Sequence, residues 1–452
     1  MKRFAHLPST MNPKPFFLFA LLFVPPASAE TVLMPGHVSH DSAKVWCYSD
    51  EMPVTDAIFQ QGDVVFTATV ARVDDRISVA RVEGLSSDTE TRFSAGTNSL
   101  AFRTPAPSAN TGRLVIAVGS CNALFLSEHS TPIFRTIATK KPDLMLWLGD
   151  NWYYLTGDGG NAGAQDKETG ALLQGEWSDT TRAMGKALRT RLHPDLRDLL
   201  PATSHYAIWD DHDFGYNNAP YGDPPVLGPE EQAKVWFGRD KAADVFTSMW
   251  ANPDRNTTTP GTFYSFRRGP VAFFMMDDRY WKDVPNRRIW GAEQTDWLKR
   301  SLLEAQRDGV PVKIIANGTQ VLISGKKESH SDEASEELDD LLAWISEQKI
   351  GGTLFLSGDR HRSELWQFAD KGNLIEFTAS PFFHGYLRDP GPENPSRLWV
   401  GPKANNFGLI TVDIGESNSL TLEALDDHGF PLRDISSGST KRCQTTFPFP
   451  PL

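Results

Sequence analysis

The 452-residue sequence holds only three cysteines, Cys47, Cys121 and Cys443. So few thiols exclude a disulfide-stapled scaffold and a cysteine-built structural metal site, and the odd number leaves at least one unpaired. Cys47 and Cys443 are candidates for a pair, and nothing in the sequence decides it. After residue 29 no apolar run approaches the roughly 20 residues that a spanning helix needs, so no stable membrane anchor is expected there. Basic charge is also short. With 45 Lys and Arg against 57 Asp and Glu the formal net charge is −12, which argues against sequence-independent binding to nucleic acid, where basic surface must displace phosphate counterions. The strained G-x-S-x-G elbow of serine hydrolases is absent, as are internal repeats and long low-complexity tracts.

What the sequence does have begins with an export signal. Lys2, Arg3 and Lys14 supply positive charge, Phe16–Val24 is an apolar core, and Ala27-Ser28-Ala29 is a cleavage site, so residues 1–29 are expected to be removed and the mature chain to begin at Glu30. Neither a twin-arginine pair nor a cysteine at the cleavage site is present, which predicts general secretion of an unlipidated protein to a secreted or periplasmic location. Residues 30–105 contain short runs of alternating apolar and polar residues, including Ala43–Ser49, Val64–Val73, Arg76–Leu85 and Thr91–Gly96, as in a small antiparallel β-sandwich of immunoglobulin or fibronectin type. Residues 106–112, within TPAPSANTG, are the expected linker, and 113–452 the larger domain.

Beyond the linker the pattern changes to buried β-rich runs, each ending in a polar cluster. RLVIAVGSCN, DLMLWLGDNWYY, HYAIWDDHDFG, VAFFMMDDR, VKIIANGTQ, GTLFLSGDRH and NLIEFTAS share this form. Helical stretches at Thr131–Lys141, Glu230–Trp250, Gly291–Gly309 and Glu333–Lys349 lie between them. The expected class is α/β, with central strands covered on both faces and chemistry gathered at the strand ends. The charged run Lys326–Asp340 is expected to be a solvated loop and a first helical turn.

Four of these strand ends carry metal-ligand chemistry. Asp150 and Tyr153 in GDNWYY are hard oxygen donors that suit trivalent iron. Asp359 and His361 in GDRHRSEL are two apart, so an extended loop projects both to one side. A thiolate at Cys121 in GSCN would be kept deprotonated and shielded by a metal. In IWDDHDFGYNN, Asp210, Asp211, His212 and Asp213 are consecutive, a concentration of like charge that makes sense around a cation.

The order GSC, LGDxxY, WDDHD, NGTQ, SGDRH after a small β-domain resembles the PhoD-like alkaline phosphatase family of the metallophosphatase superfamily, over nearly the whole chain from Val32 to the ASPF segment at Ala379–Phe382. The resemblance implies a double β-sheet sandwich flanked by helices and a metal-dependent phosphoester hydrolase. It implies Cys121, Asp150, Tyr153 and His361 as ligands of Fe(III), with Asp150 bridging to a second metal held by Asp211 and Asp359, where relatives use calcium. Asp210 is a further candidate ligand or neighbour of one. Asn317 stands near another ligand position, with Gln320 as its rival. His212 is implied as the general acid that protonates the leaving alkoxide while a metal-bound hydroxide attacks phosphorus. Arg360 and Asn217 are candidate contacts to a small-molecule phosphate ester. Two other readings stand beside this one, a non-catalytic secreted metal-containing binding protein and, within the same fold, a phospholipase D-like phosphodiesterase. The sequence carries no signal for an oligomeric state.

Overall fold

The computed structural model describes residues 30–448 except 108, 125–129, 154–179, 216, 220–237, 326–327, 385–390 and 437. The expected signal sequence, Tyr154, Tyr216 and the first part of the expected helix at Glu230–Trp250 lie outside the described residues.

Alternating residues between short turns form eight strands: β1 (Thr31–Val38), β2 (Ser42–Ser49), β3 (Ile58–Gln61), β4 (Val64–Thr67), β5 (Thr69–Arg72), β6 (Ile77–Glu83), β7 (Glu90–Ala95) and β8 (Asn98–Arg103). They make two four-stranded sheets, β1-β2-β6-β5 and β4-β3-β7-β8, around Val45, Cys47, Phe59, Ala80 and Phe93. The run Val64–Val73, expected as one strand, divides at Ala68. There the chain leaves β3 as partner and takes up β6, so β4 and β5 sit in different sheets and turn a corner of the layer.

Continuous apolar runs then build two large sheets. In the first, β9 (Gly112–Gly119), β10 (Leu144–Leu148) and β11 (Ser204–Ile208) are parallel neighbours. The second is built from β12 (Tyr264–Arg268), β13 (Val271–Met275), β14 (Val312–Ala316), β15 (Thr353–Ser357), β16 (Glu364–Phe368), β17 (Leu374–Thr378) and β18 (Arg397–Val400), in the order β12-β13-β14-β15-β17-β16-β18. The chain returns to the first sheet through β19 (Asn406–Ile414), β20 (Ser419–Asp426) and β21 (Gln444–Pro448), completing the order β11-β10-β9-β19-β20-β21.

Ile116, Leu146, Ile208, Phe273, Ile314, Leu356 and Phe377 from both sheets form the shared core between them. Helices cover the outer faces, because those faces are apolar too. Phe134, Leu188 and Phe246, from helices Ile133–Thr139, Thr180–Arg191 and Arg239–Ser248, pack with Met145 and Ala207. Leu298 and Leu341, from helices Gly291–Arg307 and Ser335–Glu347, pack with Phe274 and Phe355. The helix Thr180–Arg191 had no counterpart in the expected set. Among the described residues no helix is long and apolar enough to cross a membrane.

Cys47 and Cys443 are free and buried in separate cores, so the candidate pair does not form. The charged run at Lys326–Asp340 is not uniformly solvated. Glu328, Ser329 and His330 are 4%, 1% and 0% exposed, because Glu337 accepts the backbone N–H groups of Ile289, Trp290 and Gly291 and its Oε2 also lies 3.0 Å from His330 Nε2, drawing the turn inward.

Candidate metal centre

The parallel strands of both sheets end at one edge, and glycines let the loops that follow approach one another. Gly149 follows β10 with φ +87°, and a Cβ there would fall 2.4 Å from Cβ of Asp210. Gly358 follows β15, where a Cβ would meet Ser120 Oγ at 2.5 Å and Leu148 O at 2.6 Å. The residues next to these turns are themselves strained: Cys121, Asp150, Asp359 and His361 have φ of 58°, 50°, 61° and 51°. Left-handed backbone at non-glycine residues costs on the order of 1–3 kcal/mol each and persists only where the surroundings impose it.

These turns bring the donors together. Single ligand atoms of Cys121, Asp150 and His361 lie within 4.8 Å of one another, as do those of Asp150, Asp211 and His212, and those of Asp150, Asp210, Asp211 and Asp359. Asp150 belongs to all three groups. Its Oδ2 receives the Tyr153 hydroxyl at 3.1 Å and lies 3.4 Å from Cys121 Sγ. The Ser380 hydroxyl donates to Cys121 Sγ at 3.1 Å and accepts the His361 backbone N–H at 3.1 Å, tying the loops after β9, β15 and β17 into one unit.

The electrostatics of the cluster call for positive charge. Burial raises Asp150 well above the carboxylate range, with Asp211 and Cys121 adding to the effect. Tyr153 is raised by burial, then by Asp150 and Cys121, and the Cys121 thiol is pushed up to about 12 by burial and by Asp359. Packed anionic donors of this kind hold their protons until a cation takes their place. Oδ2 of Asp210 is buried with no hydrogen-bond partner, an arrangement that desolvates an oxygen unless a cation meets it. The donor set fits two kinds of ion: thiolate, phenolate, imidazole and carboxylate for a trivalent iron, and carboxylates alone for a hard divalent cation such as calcium.

The WDDHD run separates into four tasks. Asp210 pairs with the fully buried Arg279. Asp211 faces the cluster and accepts backbone N–H groups from His212, at 3.0 Å, and Asn218. Burial works to raise its pKa, yet His212, Arg279 and the Asn218 N–H hold it below the usual range. The His212 ring packs on Tyr153 with centroids 4.2 Å apart. Burial lowers its pKa against the upward pull of Asp211 and Asp359. Asp213 is structural, accepting from Asn151 N at 2.9 Å and Asp210 N at 3.0 Å.

Of the other expected residues, Asn217 lies beside the His212 side chain and works to raise its pKa. Arg360 is buried at the edge of the cluster with Nη1 3.2 Å from Asp359 Oδ2. Asn317, expected near a ligand position, is held by protein partners. Its amide donates to Asp278 at 3.2 Å and to Thr319 O at 2.8 Å, and its oxygen accepts from Trp290 Nε1 at 2.9 Å, so the side chain fixes the Asp278 loop. Its rival Gln320 donates to Glu364 and Thr378 at 2.6 and 3.0 Å.

Four further residues border the site without having been singled out. Arg279 and Asp278 end the VAFFMMDDR run, whose form matched the other strand ends and was the available signal. Glu328 lay hidden in a charge run. His384, two residues after the ASPF segment, has its ring 4.0 Å from His361 and 5.2 Å from Tyr153.

Two facing sheets whose parallel strands deliver carboxylate, thiol, phenol and imidazole groups to one edge define a two-sheet α/β sandwich with a candidate cation centre. The sequence pattern of the PhoD-like phosphatases matches residues 116–406, and the chain belongs to that family, whose members are metal-dependent phosphoester hydrolases. A solved structure described as the structure of PhoD shares the fold with a TM-score of 0.66 at 17% sequence identity, over 92% of this chain and 89% of that one. The type III pullulan hydrolase from Thermococcus kodakarensis aligns with a TM-score of 0.16 at 8% identity, over 72% of this chain and 59% of that one, and carries no argument. No curated protein matches the sequence.

Proposed function

We propose that the protein is a secreted or periplasmic phosphoester hydrolase of the alkaline phosphatase and phosphodiesterase type, working at an Fe(III) and calcium centre. The observation that carries this reading is the convergence of Cys121, Asp150 and His361, and of Asp150, Asp210, Asp211 and Asp359, each set within 4.8 Å. Cys121, Asp150, Tyr153 and His361 would hold the iron, and Asp210, Asp211 and Asp359, with Asp150 shared, the calcium. When bound, the two cations supply charge neutralisation for the phosphate oxygens and acidify the attacking water.

The protein's own groups supply the remainder. Arg360, held by Asp359, presents its guanidinium to a phosphate oxygen. His212 donates the proton that the leaving alcohol needs. Burial makes its imidazolium a stronger acid, and the Tyr153 ring fixes its direction. The export signal in residues 1–29 supports a destination outside the cytoplasm.

The test is hydrolysis of nitrophenyl phosphate and bis(nitrophenyl) phosphate by wild type and His212→Ala, before and after chelation and with iron and calcium restored. Turnover that chelation abolishes and the two metals restore, falling about 10²–10⁴-fold in the variant, is expected. Failure to turn over either ester with metals bound would favour the binding-protein reading.

A further inference from the structure

We propose that Arg279 is a positioning residue that holds the carboxylate half of the centre and the His212 loop in register, a role that rests on the hydrolase reading above. Arg279 leaves the loop after β13, in the second large sheet, and its side chain is fully buried beside a loop of the first. Nε donates to Asp210 Oδ1 at 2.6 Å, and Nη2 donates to that same oxygen. Nη1 donates to the backbone carbonyl of Ala219 at 3.1 Å. One guanidinium thus grips both ends of the segment Asp210–Ala219.

Everything the site needs from that segment lies between the two grips. Asp211 accepts the Asn218 N–H, so the position of Ala219, the next residue, sets the loop that orients Asp211 and adjoins His212. At the other end, double occupation of Asp210 Oδ1 fixes the carboxylate plane and leaves Oδ2, buried and unpartnered, as the oxygen free for a cation. The arginine is itself anchored. Its backbone N–H donates to Asp277 Oδ1 at 3.0 Å, and that oxygen also accepts Trp209 Nε1 at 2.6 Å, from the residue preceding Asp210. A lysine cannot reproduce this, since an ammonium is a single point and the task requires a planar fork reaching two acceptors at once.

The test is calorimetric titration of calcium into chelator-stripped protein, for wild type, Arg279→Lys and Asp210→Asn, with melting temperatures and steady-state kinetics on bis(nitrophenyl) phosphate. We expect folded Arg279→Lys to bind calcium about 10- to 100-fold more weakly than wild type, and its kcat to fall with KM nearly unchanged. Wild-type calcium affinity and kcat in a folded Arg279→Lys would overturn the proposal while leaving the hydrolase reading intact. Absence of calcium binding by wild type would instead overturn the calcium assignment itself, and the proposal with it. Should Arg279→Lys not fold, Arg279→Gly supplied with free guanidinium takes its place. Recovery of calcium binding on adding guanidinium supports the role, and a folded protein with no recovery contradicts it.

Discussion

The Tyr153 hydroxyl lies 3.1 Å from Oδ2 of Asp150, the residue common to all three candidate ligand groups. A phenolate at this place would give bound Fe(III) a visible charge-transfer absorption. Tyr153→Phe keeps the ring against His212 and His384 and removes only the oxygen, so the fold should persist while the absorption disappears. Optical spectra of the iron-loaded wild type and variant check this; an unchanged band in the variant would remove Tyr153 from the ligand set.

Cys47, Cys121 and Cys443 are free and buried, and burial pushes each thiol up to about 12. Since the thiolate is the reactive form, chelator-treated native protein should resist a thiol reagent at mildly alkaline pH, and all three cysteines should react once the chain is unfolded. Rapid labelling of any one in the native state would contradict the burial.

Acid stability provides a separate check away from the centre. His205 Nδ1 accepts from Trp147 Nε1 at 3.0 Å and its Nε2 faces the Leu199 and Leu200 carbonyls, while burial and then Arg191 lower its pKa from 6.5 to about 3. The unfolded chain therefore binds a proton that the folded one refuses. The stability is complete above 6.5 and is lost as pH falls toward 3, at about 1.4 kcal/mol per pH unit. Gln at this position offers the same acceptor and donor without titrating. His205→Gln should flatten the acid limb of melting temperature against pH; His37, lowered to about 4, keeps its own slope in both proteins.

The loop contacts at Gly358 predict a steric effect. A Cβ there would stand 2.5 Å from Ser120 Oγ and 2.6 Å from Leu148 O, the latter a backbone atom that cannot swing aside. Gly358→Ala should cost about 1–3 kcal/mol in denaturant unfolding and spread the loops carrying Cys121, Asp150 and Asp359, weakening metal binding. Unchanged stability would show that the loops can move apart freely.

Much of this was legible because buried parallel strands leave a strong one-dimensional pattern. Seven apolar runs ended in polar clusters, and the residues at those ends, Cys121, Asp150, Asp211, Asp359 and His361, meet at one edge. What the sequence withheld depends on packing between distant segments. Asp210 and Arg279 are 69 positions apart and meet only because a loop from each large sheet closes on the other. Nothing local to Asn317 announces its hydrogen bonds to Trp290 and Asp278, which come from distant segments. Glu328 resembled solvated charge because local composition does not reveal that Glu337 and His330 draw the turn inward. The division of Val64–Val73 at Ala68 was equally hidden, since a strand changing sheets keeps its alternation.

The most direct test of the central claim is elemental analysis of natively purified wild type and Cys121→Ala by plasma mass spectrometry. Iron and calcium bound to wild type, with iron lost from the variant, is the predicted result. Wild type that carries neither metal yet hydrolyses phosphate esters at full rate in chelator would contradict the account.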